Sequence, residues 1–199
     1  ANLAEYVTGL AITEVCADLS SSVPGRVLDD DGTVLLRFDS GAHGTLQASQ
    51  ISIGEENSLK LRVYGETASI EWSQLEPNSV WMKYSDRPSQ VIRAGVGEMD
   101  TITQANMRTP AGHPEGYLEA FANIYTQFSY QIRNRLFPSA REAGINDLVT
   151  INAAAINDVP GIESAIRGMA FIENVVAASQ SELKWHKFSL EPQNIVIPS

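Results

Sequence analysis

The segment Thr109-Pro110-Ala111-Gly112-His113-Pro114-Glu115-Gly116-Tyr117 holds the most distinctive group of side chains able to do chemistry in this chain. Pro114 suits the first position of a helix, which makes His113 the residue at its cap. The residue before a proline is pushed to extended geometry, so His113 is expected to stand off the helix. A neutral imidazole donates one hydrogen bond and accepts another, a match for a substrate hydroxyl. Glu115, placed in the first turn, is favoured by the helix dipole and can accept hydrogen bonds from sugar hydroxyls. The residues alone leave a second reading open, in which His113 and Glu115 only cap the helix.

Other motifs point to less. Gly95-Val96-Gly97-Glu98-Met99-Asp100 begins like a dinucleotide fingerprint. Its sixth position is Asp, and no helical pattern is read after it to receive a pyrophosphate. No cofactor site is therefore expected within this chain. His43, His113 and His186 lie at no metal-ligand spacing from one another or from Cys16, and no metal site is expected. Asp29-Asp30-Asp31-Gly32 lacks the alternating ligands of a calcium loop and reads as a hairpin turn. Cys16 reads as a buried, inert thiol in a strand.

Composition narrows the class. The chain has 199 residues, 43% hydrophobic and 19% charged, which suits one globular domain. With 14 Lys and Arg against 24 Asp and Glu, its net charge is -10, which repels nucleic acid. No apolar run approaches the roughly 20 residues of a membrane-spanning helix. No secretory leader pattern stands at the start, and the lone cysteine fits a reducing cytoplasm.

The elements that must carry these residues are legible. Asn2 to Val7 reads as the last turns of a helix, with Gly9 at a left-handed stop. A helix this short is marginal unless packed or extended at its front. Its first turns are expected upstream of residue 1, and a native short helix is the alternative. Alternating patterns predict strands over 13–19, 33–39, 44–51, around Leu59-Leu61-Val63, over 68–72, 80–84 and 90–93, with a last short strand in 182–188. Gly44 is read as a bulge or a close backbone approach. Short turns between these strands imply an antiparallel arrangement. Tyr117, Phe121, Ile124 and Phe128 predict a helix from about Pro114 to Leu136, stopped by Pro138. Ile162, Ile166, Met169, Ile172 and Val176 predict another over about 159–178, with Asp158 as cap and Pro160 in its first turn. The fold class is α+β: a largely antiparallel, open-faced β-sheet with helices packed on one face. The open face would carry Arg37, Gln47, Lys60, Arg62, Tyr64, Glu71, Trp81 and Lys83. That set fits either a solvated surface or a subunit interface.

Five stretches together carry a family resemblance: NLAEYVTGL at 2–10, LLRFDSGAHGTLQASQ at 35–50, LRVYGETASIEW at 61–72, GHPEGYLEAFANIY at 112–125 and GIESAIRGMAFIENVV at 161–176. The chain resembles the C-terminal domain of Gfo/Idh/MocA oxidoreductases, the group of glucose–fructose oxidoreductase and inositol dehydrogenase, in the branch with the GHPEGY motif. The resemblance implies a parent enzyme with an N-terminal Rossmann domain that binds NAD or NADP and oxidises a sugar or polyol. It places a catalytic Lys, in a Glu-Lys-Pro motif, and an Asp and His acid/base pair upstream of Ala1, so no catalytic residue is expected here. It implies that residues 1–188 form a substrate-binding and oligomerisation domain, with 189–199 as an extended tail. It puts His113 near the substrate pocket, with Glu115 and Tyr117 in the same motif. Arg26 and Gln50 are further substrate-binding candidates, each beside a turn or strand end with polar reach. The partners implied are the chain's own Rossmann domain, a small sugar or polyol, and copies of the chain through the open sheet face. A stand-alone carbohydrate-binding or assembly module is the competing class. A hydrolase using Glu115 and Asp86 is a third, but no spacing argues for that pair.

Overall fold

The computed structural model describes residues 1–136 and 159–193. Two compact units make up the chain, one of residues 1–56 with 160–199 and one of residues 57–159. All strand pairing among the described residues is antiparallel, in two separate four-stranded sheets.

In the first unit, helix α1 (Asn2–Thr8) ends at Gly9, whose φ of 68° is the left-handed stop read from the sequence. The Gly9 N–H closes the helix on the Glu5 carbonyl at 2.8 Å. Strands β1 (Ile12–Ser20), β2 (Asp31–Phe38) and β3 (His43–Ser49) follow. A short β8 (His186–Lys187) pairs on the far side of β1, giving the order β3-β2-β1-β8. The β2–β3 ladder runs without a break across Gly44. The irregularity lies instead in β1, between Ile12 and Glu14. Nor is there a close backbone approach at Gly44: a Cβ there would stand 3.4 Å from the Phe38 ring, an ordinary packing distance to a side chain.

Alternation in β2 buries Val34, Leu36 and Phe38, which join Ile12 and Val15 in the core. Val175 and Ala178 of the C-terminal helix, α4 (Ile162–Ser179), complete it. The expected start of that helix is corrected. Gly161 is the cap, so Pro160 lies outside, and Asp158 lies beyond the described residues. The expected core stripe is corrected too. Ile162, Ile166, Met169 and Ile172 are exposed, while Ala170, Asn174, Val175 and Ala178 are buried. Small residues let the helix approach β1 closely, and the bulkier stripe on the opposite side is left open.

In the second unit, β4 (Lys60–Tyr64), β5 (Ala68–Ser73), β6 (Ser79–Tyr84) and β7 (Gln90–Arg93) form a simple meander. Its register sets Arg62 across from Glu71 and Glu71 across from Trp81, with Tyr64, Ser69 and Lys83 in the neighbouring row. Lys60, Arg62, Tyr64, Glu71, Trp81 and Lys83 thus share one face, as expected. Arg37 and Gln47 share the outer face of the other sheet, opposite His43 and Thr33. The open face is therefore divided between two sheets, because no ladder joins β3 to β4.

A helix missed in the sequence, α2 (Thr101–Asn106), follows the glycine pair. The Asp100 side chain caps it, accepting from the Thr103 N–H at 2.7 Å. Helix α3 (Tyr117–Leu136) begins three residues later than the proline suggested. The expected stop at Pro138 lies outside the described residues.

Candidate functional site

The corner before α3 is built from its backbone outward. Gly116 is the cap: its carbonyl accepts from the Ala120 N–H at 3.0 Å. Its own N–H donates to Glu119 Oε2 at 2.8 Å, half of a capping box. His113 and Glu115 are thus outside the helix, and Glu119 is the first-turn acid. The capping role that the residues alone left open falls to Gly116 and Glu119.

Glu115 does something else. Its Oε1 accepts from the Arg108 N–H at 2.7 Å and the Thr109 hydroxyl at 2.8 Å, and closely from the Thr109 N–H. Its carbonyl accepts from Asn78 Nδ2, at the β5–β6 turn, at 2.7 Å. Partial burial pushes the carboxyl up, but the hydrogen bonds from Thr109 and Arg108, and the Arg108 charge, hold it below the usual range. Arg108 in turn lies along α3, with Nε donating to Asn123 Oδ1 at 2.7 Å and Nη2 to the Thr126 hydroxyl at 3.0 Å. Asn123 and the buried Gln127 both donate to Asn106, tying α2 to α3.

His113 stands at the apex of this loop, exposed. Its Nδ1 lies 3.2 Å from the Pro110 carbonyl, which also accepts the His113 N–H at 3.1 Å. Tyr117 is exposed as well, its ring 4.8 Å from that of Phe121. His113 and Glu115 therefore belong to one hydrogen-bonded loop through Thr109, while Tyr117 opens α3 and packs on Phe121.

Gly95 meets this loop from behind. Its φ is 79°, and a Cβ there would stand 3.0 Å from Ala111 Cα and 2.9 Å from Met107 Cε. The fingerprint-like glycine is needed for a turn and close packing. Asp100 adds a carboxylate to the front of α2, where a pyrophosphate would have to sit. These residues do not fit a dinucleotide.

Arg26 and Gln50 belong to a second group, in the first unit. The expected hairpin turn at Asp29–Gly32 is corrected: Asp31 and Gly32 are already in β2, and residues 21–30 form a loop after Ser20. Asp30, only 3% exposed, organises that loop. Its carboxylate accepts from the Ser22 N–H at 2.8 Å, the Val23 N–H at 2.9 Å and Arg26 Nη1 at 3.3 Å. The Ser22 hydrogen bond foremost, then that of Val23 and the Arg26 charge, hold it below the usual carboxylate range against the effect of burial. Gln50 donates its backbone N–H to the Asp30 carbonyl at 2.7 Å. Asp30, Arg108 and Asn78 were missed in the sequence, since only the folded loops show what they hold.

The family's C-terminal domain model, GFO/IDH/MocA, matches residues 1–71. An uncharacterised oxidoreductase of Bacillus subtilis, YfiI, is 33% identical over 182 residues, 90% of this chain and 43% of that protein. An oxidoreductase from Sinorhizobium meliloti superposes with a TM-score of 0.77 at 36% identity, over 92% of this chain and 49% of that one. This chain belongs to the Gfo/Idh/MocA family, in its C-terminal domain. A second solved structure is that of an inositol dehydrogenase homolog from Azotobacter vinelandii, complexed with NADH and myo-inositol. It superposes with a TM-score of 0.77 at 26% identity, over 94% of this chain and 47% of that one. The chain thus spans about half the length of these relatives or less. The α+β architecture with antiparallel sheets is the one they share. No helix among the described residues is long and apolar enough to cross a membrane.

Proposed function

We propose that this chain is the substrate-binding and oligomerisation half of an NAD(P)-dependent dehydrogenase acting on a sugar or polyol. We assign residues 1–188 to that domain; of the tail expected at 189–199, residues 194–199 lie outside the described residues. The observation that carries the reading is the His113 corner: an exposed imidazole, fixed by Pro110 at one nitrogen, on a loop pinned by Glu115 and Arg108. Such a group binds and orients a carbinol hydroxyl, and Tyr117, exposed at the start of α3, is a further candidate with a ring face and a phenol. Arg26, in the loop organised by Asp30, and Gln50, whose N–H meets the Asp30 carbonyl, are further candidates for contact with a hydroxyl-bearing substrate, each within the first unit. The nicotinamide, which exchanges the hydride, is held by a Rossmann domain outside these residues, as is the acid/base pair. The NADH and myo-inositol of the Azotobacter relative support that division.

The exposed stripes of α3 and α4 suit coverage by that nucleotide-binding domain. The face of Tyr64, Trp81, Arg62 and Lys83 suits a second copy of the chain. A cytoplasmic setting agrees with the single, half-buried Cys16.

The test is kinetic. In the complete enzyme, His113→Ala is expected to raise KM for the polyol about tenfold and leave nicotinamide affinity unchanged, the cost of one lost polar contact. Unchanged kinetics would reduce His113 to a turn residue and reopen the non-catalytic module.

A further inference from the structure

We propose that Glu115 is a positioning residue for His113. It holds the loop in which the Pro110 carbonyl selects the Nδ1–H form of the imidazole, leaving Nε2 as an outward-facing hydrogen-bond acceptor. The inference deepens the polyol reading above and rests on it for the identity of the ligand.

A carbonyl oxygen only accepts. The 3.2 Å contact from His113 Nδ1 to Pro110 therefore requires the proton on Nδ1. In the neutral ring, Nε2 then carries a lone pair, and it makes no hydrogen bond among the described residues. The two nitrogens differ in role because of the bond made by one of them. A lone pair at Nε2 recognises a hydroxyl as a donor, leaving that oxygen's own lone pairs for other groups.

This choice depends on the turn. Residues 110–113 close through the His113 N–H to the Pro110 carbonyl, with Gly112 at φ 87° in third position, as a type II turn requires. The turn is short of support on its own. Thr109 provides it, its one hydroxyl proton shared between the His113 carbonyl at 3.2 Å and Glu115 Oε1 at 2.8 Å. Glu115 gathers the Arg108 N–H, the Thr109 N–H and that hydroxyl on one oxygen. It is itself fixed from the sheet side by Asn78. A carboxylate spent on three loop donors acts through His113, in place of the direct sugar contact expected from the sequence.

Long-range proton–nitrogen NMR correlations on the 199-residue chain report which ring nitrogen of each histidine bears the proton. The His113 signals are assigned with His113→Asn. The expected result is a His113 ring mainly in the Nδ1–H form. In Glu115→Ala the ratio should fall about fivefold, the equivalent of one neutral hydrogen bond. Glu115→Gln, which keeps an acceptor oxygen, should retain it. Gly112→Ala strains the turn with no steric clash, so it should lower the ratio without touching Glu115. A dominant Nε2–H form in the native chain would overturn the proposal. So would an unchanged ratio in folded Glu115→Ala. Titration with myo-inositol tests the polyol reading separately. No shift at His113, with its Nδ1–H form intact, would count against the ligand class and not against the role of Glu115.

Discussion

Arg167 grips Glu5 across 162 residues of sequence, Nε to Oε2 at 2.7 Å and Nη2 to Oε1 at 2.5 Å. The same guanidinium donates to the Ile12 carbonyl at 3.1 Å and lies 4.5 Å from the centre of the Phe188 ring. Glu5 also accepts the Ile12 N–H at 2.7 Å. One ion pair thus joins α1, β1 and α4, while Asn2 reaches Ser164 on the same helix.

Removing Arg167 leaves a mostly buried carboxylate with one donor. Arg167→Met is expected to cost about 2 kcal/mol, and Arg167→Lys about half of that, because a lysine cannot make the fork. In a chain of this size, thermal unfolding should shift by about 4–8 °C for the Met variant. Calorimetry of the two variants checks both size and order.

The same pair sets an acid limit. Burial pushes the Glu5 carboxyl up, but the Arg167 and Ile12 hydrogen bonds and the Arg167 charge hold it below the usual glutamate value. A carboxyl depressed in the folded state stabilises above its unfolded value. That contribution is lost as pH falls through the folded value. Stability is therefore expected to drop on acidification below the ordinary glutamate range. The drop should be smaller in Arg167→Met, as measured by denaturant midpoints along a pH series.

Asn174 is fully buried and satisfied. Its Nδ2 donates to the Ala170 and Ser189 carbonyls, each at 2.7 Å, and its Oδ1 accepts the Ser189 N–H at 3.0 Å. Asn174→Asp removes the donor and brings a charge, and Asn174→Ala leaves both Ser189 groups unpaired. Each should cost about 2–3 kcal/mol. Amide exchange at Ser189 should speed up in Asn174→Ala, which removes the acceptor of that N–H, and protection equal to the native chain would refute the account.

Gly95 supports the candidate site through packing. Gly95→Ala brings backbone strain at φ 79° and a Cβ against Ala111 Cα. A loss of about 2–3 kcal/mol is expected, with displaced NMR signals through residues 107–113. Gly97→Ala shares the strain but meets open space, so those signals should stay in place.

On the face proposed to meet a second copy, Glu71 accepts from Lys83 at 2.5 Å and lies 3.7 Å from Arg62. Tyr64 and Trp81 are the exposed aromatics beside it. Trp81→Glu is expected to weaken self-association at least about tenfold by sedimentation, with little change in thermal stability of the monomer. An unaltered association constant would place the contact elsewhere.

The strands, their antiparallel sense and α1 with its glycine stop were legible because alternation and φ > 0 are local properties. The resemblance that led to the family was likewise written in ordered short stretches. Helix starts were less legible. Pro114 suits a first turn, yet Glu115 is spent on Arg108 and Thr109, and the cap passes to Gly116. The side of α4 that packs was misjudged because periodicity reports two apolar faces there and cannot rank them. Only contact with β1 selects the smaller residues. The work of Asp30, Asn174 and Arg108 was decided by tertiary structure alone, since a polar side chain's partners depend on which distant backbone groups the fold leaves unpaired.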